Sequence, residues 1–497
     1  MKRALLAALA AISLVYPLSA DVDSLSRLFG PGRAVLDLDG DGIPEKPALA
    51  IVVPDRPTAG ELALAADIAA RVNFESLAVD LGLVRRESEL GANPPPLQVL
   101  IGGGLARVRE GLKERRRGPE SLAPNQGLIF LFSRPGQTII ACAAGSDEAL
   151  LRTGRAFFLR WPYFWEIWGR EVGATYEDLE KDVAAFLTAA GAGLQKLVVR
   201  EALYEFPAAP PVADGLKALS FDQGEIRNLV LEIHFAADAE RAKAQEALTL
   251  LVSDRRKGMR TATLSYPACA ALTVELRSGG SRSEVVLPRT GASKRLLTPG
   301  FKERPGTEAA GKEFDLLGLY TAKGLYSDQD RDGVPDGLDA TVVVPKEYAG
   351  PGPAELASRL VMGASGASFP LVQLESEIES RRALTAPVLV GPNALSADLV
   401  RTGKLKLPAL DNGAGLLKIV PKAFGKSSAL VVHGADQAGL DRAVSYLSRT
   451  FPYFAEYGEG NPQLADLASE IDTLLAGGKG AAEAVFMNAV DKAAAEM

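Results

Sequence analysis

The chain has 497 residues, 47% of them hydrophobic and 24% charged, with a formal net charge of −7 at pH 7. That length is too great for one core, so two to four domains are expected, and the composition excludes a disordered chain. The acidic balance excludes the basic face that nucleic acid requires and the polybasic segment that anionic lipid attracts.

The first twenty residues read as a targeting segment. Met1-Lys-Arg3 is a basic start, Ala4 to Val15 is apolar, and Pro17-Leu-Ser-Ala20 supplies a small-residue cleavage site. A bilayer span needs roughly twenty apolar residues, so this reads as a cleaved signal with the mature chain starting near Asp21. No later run is long and apolar enough to span a membrane. A periplasmic or secreted product, with no transmembrane span in the mature chain, is expected.

An acidic turn follows, Asp37-Leu-Asp39-Gly-Asp41-Gly-Ile-Pro-Glu45, and then the apolar run Ala50 to Val53, which reads as a buried strand. Leu62, Leu64, Ala65 and Ile68 predict a helix over 59–72. Buried strands are expected at 97–101, 127–132 and 138–142. A helix over 148–159 runs into Trp161-Pro-Tyr-Phe-Trp165. Strands alternating with amphipathic helices indicate an α/β fold with a mostly parallel sheet.

The same order then recurs. Asp328-Gln-Asp330-Arg-Asp332-Gly-Val-Pro-Asp336 precedes Thr341 to Val344. Strands are expected at 387–391, 415–420 and 429–433, and a helix over 437–447 runs into Phe451-Pro-Tyr-Phe454. The offset between copies stays near 290 residues, from 328 − 37 = 291 at the acidic turns to 415 − 127 = 288 at a strand. A constant offset of this kind marks a duplication. Between the copies, a Pro/Ala linker near 205–211 introduces an alternating strand at 226–235, a charged helix over 236–257 and strands near 261–265, 271–277 and 283–287.

The organisation read from these elements is a signal peptide (1–20), a first α/β repeat (21–205), a small α+β middle domain with connector (206–312), a second α/β repeat (313–475) and a C-terminal helix (476–497). Either the middle domain is unique to the first copy, or the chain is the front part of a longer protein.

The acidic turns carry the clearest chemistry. Calcium takes six to eight hard oxygen ligands, which a tight loop delivers when carboxylates alternate at positions 1, 3 and 5 and glycine allows a sharp turn at position 6. Asp37, Asp39 and Asp41 fill those places, with a backbone carbonyl of Ile43 at position 7 and Glu45 at position 9. In the second copy these are Asp328, Asp330, Asp332, Val334 and Asp336, with Asp339 at position 12, where the first copy has Ala48. The second loop is therefore expected to bind more tightly, and the metal to be structural.

The D-x-D-x-D-G-x-P-[DE] run resembles the short calcium loops of dockerins and thrombospondin type-3 repeats, over nine to twelve residues per copy. The stretch Val431-Val-His-Gly-Ala-Asp436-Gln-Ala-Gly439-Leu440 resembles the small α/β domains that precede catalytic barrels in glycoside hydrolases. Similar domains occur as accessory modules of cellulose-synthase periplasmic subunits. Those domains are non-catalytic, so the resemblance implies no catalytic residue.

Other chemistry is thinly supplied. The two histidines, His234 and His433, lie in strand patterns and read as structural, and no H-E-x-x-H or G-x-S-x-G occurs. Gly102-Gly-Gly104 follows a strand, but Arg107 occupies the third glycine position of a dinucleotide loop, so no cofactor is expected there. The two cysteines, Cys142 and Cys269, read as buried free thiols. The cluster Trp161 to Trp168 reads as core.

The expected function is an exported, calcium-stabilised scaffold or binding module, non-catalytic, with a carbohydrate or peptide ligand. It would serve as the accessory region of a larger extracellular enzyme. The alternative is a secreted hydrolase of polysaccharide or peptide, using carboxylates between the two repeats. Glu166 and Glu456, at matching places after the aromatic runs, are its candidates.

Overall fold

The computed structural model describes residues 22–28, 32–91, 93–159, 176–206, 225–256, 271–288, 311–348, 350–378, 380–450 and 483–486. The expected signal segment, the aromatic clusters at 161–168 and 451–454, Glu166, Glu456, Cys269 and the strand expected at 261–265 lie outside them. The fold is α/β, built on a nine-stranded and a six-stranded sheet.

Each repeat contributes five strands in the same order. In the first they are β3 (Ala50–Val53), β4 (Val84–Arg86), β5 (Leu97–Ile101), β6 (Gln126–Arg134) and β7 (Gln137–Ala144), lying β4-β3-β5-β7-β6 across the sheet. Three of the four pairings are parallel, and β6–β7 is an antiparallel hairpin. The second repeat has β14 (Ala340–Val344), β15 (Val372–Leu374), β16 (Ala386–Val390), β17 (Gly415–Phe424) and β18 (Ser427–Gly434), ordered β15-β14-β16-β18-β17 with the same directions.

Helices cover both faces of each sheet, which is why these strands are apolar without alternation. On one face of the first sheet lie α1 (Ala59–Phe74), α3 (Asp147–Phe158) and α4 (Tyr176–Ala189), and on the other α2 (Ala106–Glu114). The second sheet repeats this with α6 (Gly352–Val361) and α8 (Gln437–Ser445) on one face and α7 (Ala394–Arg401) on the other. The α1 and α6 faces meet, so one continuous core runs through both repeats. Helix α1 starts at a capping box, in which Thr58 and Glu61 satisfy each other's backbone N–H groups. Residues 59–73 of α1 are all buried. Its run of alanines suits a helix packed on every side.

The first sheet continues past its five strands. Strand β8 (Leu194–Glu205) pairs antiparallel with β6. Then β9 (Glu225–Phe235), β10 (Ala271–Ser278) and β11 (Ser281–Pro288) follow, with β9 and β10 parallel. The strands read from sequence as a middle domain thus extend the first repeat's sheet without a break at residue 205. Helix α5 (Asp238–Arg256) packs over them on the α4 side through Ala244, Leu248 and Leu251.

One reading is corrected. Residues 483–486 were expected within a C-terminal helix, but they form β19 (Glu483–Phe486), antiparallel to β17. The outer edge of β17 offers unpaired backbone groups, and strand pairing there overrides local helix propensity. It is the position that β8 fills beside β6 in the first repeat. Cys142 is buried and free, as expected, and burial pushes its thiol far above the usual range.

Candidate metal centres

Each acidic loop closes a two-residue antiparallel stem. In the first repeat the stem is β1 (Val35–Leu36) with β2 (Lys46–Pro47), and in the second it is β12 (Tyr326–Ser327) with β13 (Gly337–Leu338). Both loops fold by the same carboxylate-to-backbone bonds. Asp37 accepts from the N–H groups of Gly40 at 2.7 Å and Gly42 at 2.9 Å, and Asp328 accepts from Arg331 at 2.7 Å and Gly333 at 3.1 Å. Asp39 accepts from Asp41, and Asp330 from Asp332. Asp41 accepts from Ile43, and Asp332 from Val334. Glu45 closes the first loop by accepting from Leu38, as Asp336 closes the second by accepting from Gln329. Gly42 and Gly333 turn the chain at φ of 89° and 91°, where a Cβ would be strained.

This folding turns the carboxylates inward. Asp37, Asp39, Asp41 and Glu45 each bring an oxygen within 4.8 Å of the others, as do Asp328, Asp330 and Asp332, so both loops hold acidic groups suited to a metal ion. The Asp332 N–H draws the Asp330 carboxyl down, but slight desolvation and the neighbouring Asp332 and Asp336 charges leave it above the usual range.

The two loops are not equal. Asp339, the expected position-12 ligand, is ion-paired with Lys312 at 3.0 Å. Asp336 lies outside the three-carboxylate group and holds the N–H groups of Gln329 and Asp330. The first loop thus gathers four carboxylates and the second three. The side chains of Ile43 and Val334 are exposed and apolar, so only their backbone carbonyls could serve as ligands.

Each loop is also tied to the segment after the first helix of its repeat. The Leu77 and Ala78 N–H groups donate to the Pro44 and Glu45 carbonyls, and the Ser365 N–H donates to the Pro335 carbonyl. An ion in either loop would therefore brace a stem, a loop and a helix end together.

The carboxylates between the repeats have a different role. Asp67, fully buried on α1, accepts from the N–H groups of Leu371 and Val372 at 2.9 Å each and from Arg155 Nε at 2.9 Å. Arg155 donates to Glu377 Oε1 and to the Val372 carbonyl, both at 2.6 Å. Burial draws the Arg155 pKa down, but the Glu377 and Asp67 carboxylates outweigh it, so the guanidinium stays charged. Asp67 and Glu377 are both engaged by one cation, and their geometry is that of a structural clamp. Sequence reasoning missed it, although a lone Asp in an Ala/Leu/Ile helix was a visible signal.

The remaining candidates resolve locally. His234 Nε2 lies 2.7 Å from Glu232, which also pairs with Arg200 and Arg277. Gly102 has φ of 102°, and a Cβ there would stand 1.8 Å from Glu61 Oε1, so the capping glutamate accounts for this glycine without a phosphate. Among the described residues no helix is long and apolar enough to cross a membrane. Comparison with models of known protein families and with curated proteins finds no match.

Proposed function

We propose that the protein is an exported, calcium-stabilised scaffold or binding module, non-catalytic, of the kind that accompanies a larger extracellular enzyme and holds a carbohydrate or peptide ligand. The observation that carries this reading is the pair of acidic loops, folded by the same bonds in two repeats and gathering their carboxylates within 4.8 Å. Calcium is the favoured ion because every available ligand is a hard oxygen on a flexible loop. The basic start and apolar run of residues 1–20 support export, into compartments where calcium is plentiful.

Thermal unfolding of the mature chain in excess calcium and in chelator tests the reading. An ion that binds only the folded state stabilises it by RT ln(1 + [L]/Kd), so millimolar calcium is expected to raise the midpoint by a few degrees. The Asp39→Ala, Asp330→Ala double variant should abolish the rise. A midpoint indifferent to calcium and chelator would show that the loops are ordinary acidic turns.

A further inference from the structure

The two repeats differ at one place where the duplication makes the difference readable. A Glu-Ser-Glu turn follows the edge strand of each sheet, Glu87–Glu89 after β4 and Glu375–Glu377 after β15. The next strand ends in a positive-φ glycine, Gly102 or Gly391, whose N–H donates to the neighbouring strand at Cys142 or Val432. Five residues beyond these glycines stand Arg107 and Ser396, and four residues before them stand Gln98 and Pro387.

In the first repeat Arg107 fills this corner. Its Nη1 donates to Gln98 Oε1 at 2.6 Å, and its Nε lies 3.9 Å from Glu87 Oε1. In the second repeat the glutamate remains as Glu375, but Ser396 and Pro387 replace the arginine and the glutamine. Ser396 donates to the Asn393 carbonyl at 2.9 Å, and Glu375 has no ion pair among the described residues. One Glu375 oxygen accepts from the Ala394 N–H, so the carboxylate offsets the positive end of α7.

The corner is instead a pocket of about 510 Å³ lined by Glu375, Asn393, Ser396, Val400, Leu407 and His433. It lies past the carboxyl ends of β15 and β16 and against the last residues of β18, beside the point where the strand order reverses around β14. That is where open α/β sheets place ligands. Val400 and Leu407 are exposed apolar side chains on its wall. His433 is half-buried and has no hydrogen-bond partner among the described residues, and burial lowers its pKa, keeping the ring neutral.

We propose that this pocket binds a small organic cation, a guanidinium or primary ammonium group on a short apolar body, with its charge at Glu375 where the first repeat places Arg107. The apolar body lies along Val400 and Leu407, and the neutral His433 ring accepts or donates one hydrogen bond. The inference is independent of the calcium reading.

Isothermal titration of the mature chain with n-butylguanidinium, n-butylammonium and n-butanol tests it. Both cations are expected to bind saturably and n-butanol not at all. Glu375→Gln keeps an acceptor for the Ala394 N–H but removes the charge, and should weaken cation binding about tenfold or more. Ser396→Arg restores the first repeat's residue and should abolish binding, whereas Glu87→Gln should leave it unchanged. Absence of cation binding, equal binding of n-butanol, or binding that survives both Glu375→Gln and Ser396→Arg would overturn the proposal.

Discussion

The first repeat brings two charged helix side chains to the junction, Asp67 and Arg155, whereas the second answers with the backbone at Leu371 and Val372 and with the Glu377 carboxylate from the turn after β15. The duplication should have made the grip mutual. Six residues after Glu61 stands Asp67, but six after Glu355, in the matching Glu-Leu-Ala run, stands Val361. Nine residues after the cap Ser146 stands Arg155, and nine after the cap Asp436 stands Ser445. The edge strand β4 is finished from within its own repeat, with Asp55 accepting from Ser88 and Glu89 from Arg86. A symmetric backbone plan has acquired an asymmetric clamp, whose one cation and one fully buried carboxylate both come from the first repeat.

The sharpest way to break that asymmetry is to remove the cation. Arg155→Met leaves Asp67 buried without its partner and should lower stability by about 3–5 kcal/mol in denaturant unfolding. The counterpart Ser445→Ala should cost less than about 0.5 kcal/mol. A similar, small loss for both variants would mean the clamp carries no weight.

The loops provide the next contrast. If calcium binds, saturation at 100-fold over Kd stabilises by about 2.7 kcal/mol per site. Asp39→Ala should remove a larger part of the calcium-dependent rise in Tm than Asp330→Ala, because the first loop gathers four carboxylates and the second three. The opposite order would mean that Asp339 leaves Lys312 to join the second site.

The two first-helix glutamates differ as well. Burial, with the nearby Asp147 charge, pushes the Glu61 carboxyl up to about 7 against the pull of the Thr58 N–H, whereas Glu355 is paired with Arg449. Folded Glu61 holds a proton that an unfolded Glu releases near pH 4.5, so the folded state binds more protons between about 4.5 and 7. Stability from this group therefore falls as pH rises through that window and levels off above it, by up to about 3 kcal/mol. Glu61→Gln, which preserves the capping box, should flatten this slope in pH-dependent unfolding.

The smallest expected effect is at Arg331, which takes φ of 63° where the first loop has Gly40 at 80°. Arg331→Gly relieves a left-handed conformation and should stabilise by less than about 1 kcal/mol, since glycine loses more entropy on folding. It also removes a cation from beside the acidic group, so calcium titration should show severalfold tighter binding at the second loop.

Much of this architecture was legible because it is local or repeated. The apolar strands at 97–101 and 387–391 need no context, and the acidic loops repeat their spacing. What escaped depends on partners distant in sequence. Strand β19 is helix-like in composition and becomes a strand only beside the open edge of β17. The union of β9–β11 with the first sheet hangs on β8, whose twelve residues reach both β6 and β9. The pairing of Asp339 with Lys312, 27 residues earlier, is likewise invisible in the spacing of the loop. The Glu375 pocket is visible only by contrast with Arg107.

The clamp also bears on how the chain reaches this state. Asp67 meets the Leu371 N–H across 304 residues, and α1 is buried on all sides only once the second repeat is present. During synthesis the first repeat must wait, with an alanine-rich helix face and a buried-type aspartate open to water, while those residues are made. Contacts of such sequence separation slow folding and prolong the exposure of apolar surface. The two repeats are copies in sequence, but they share one core.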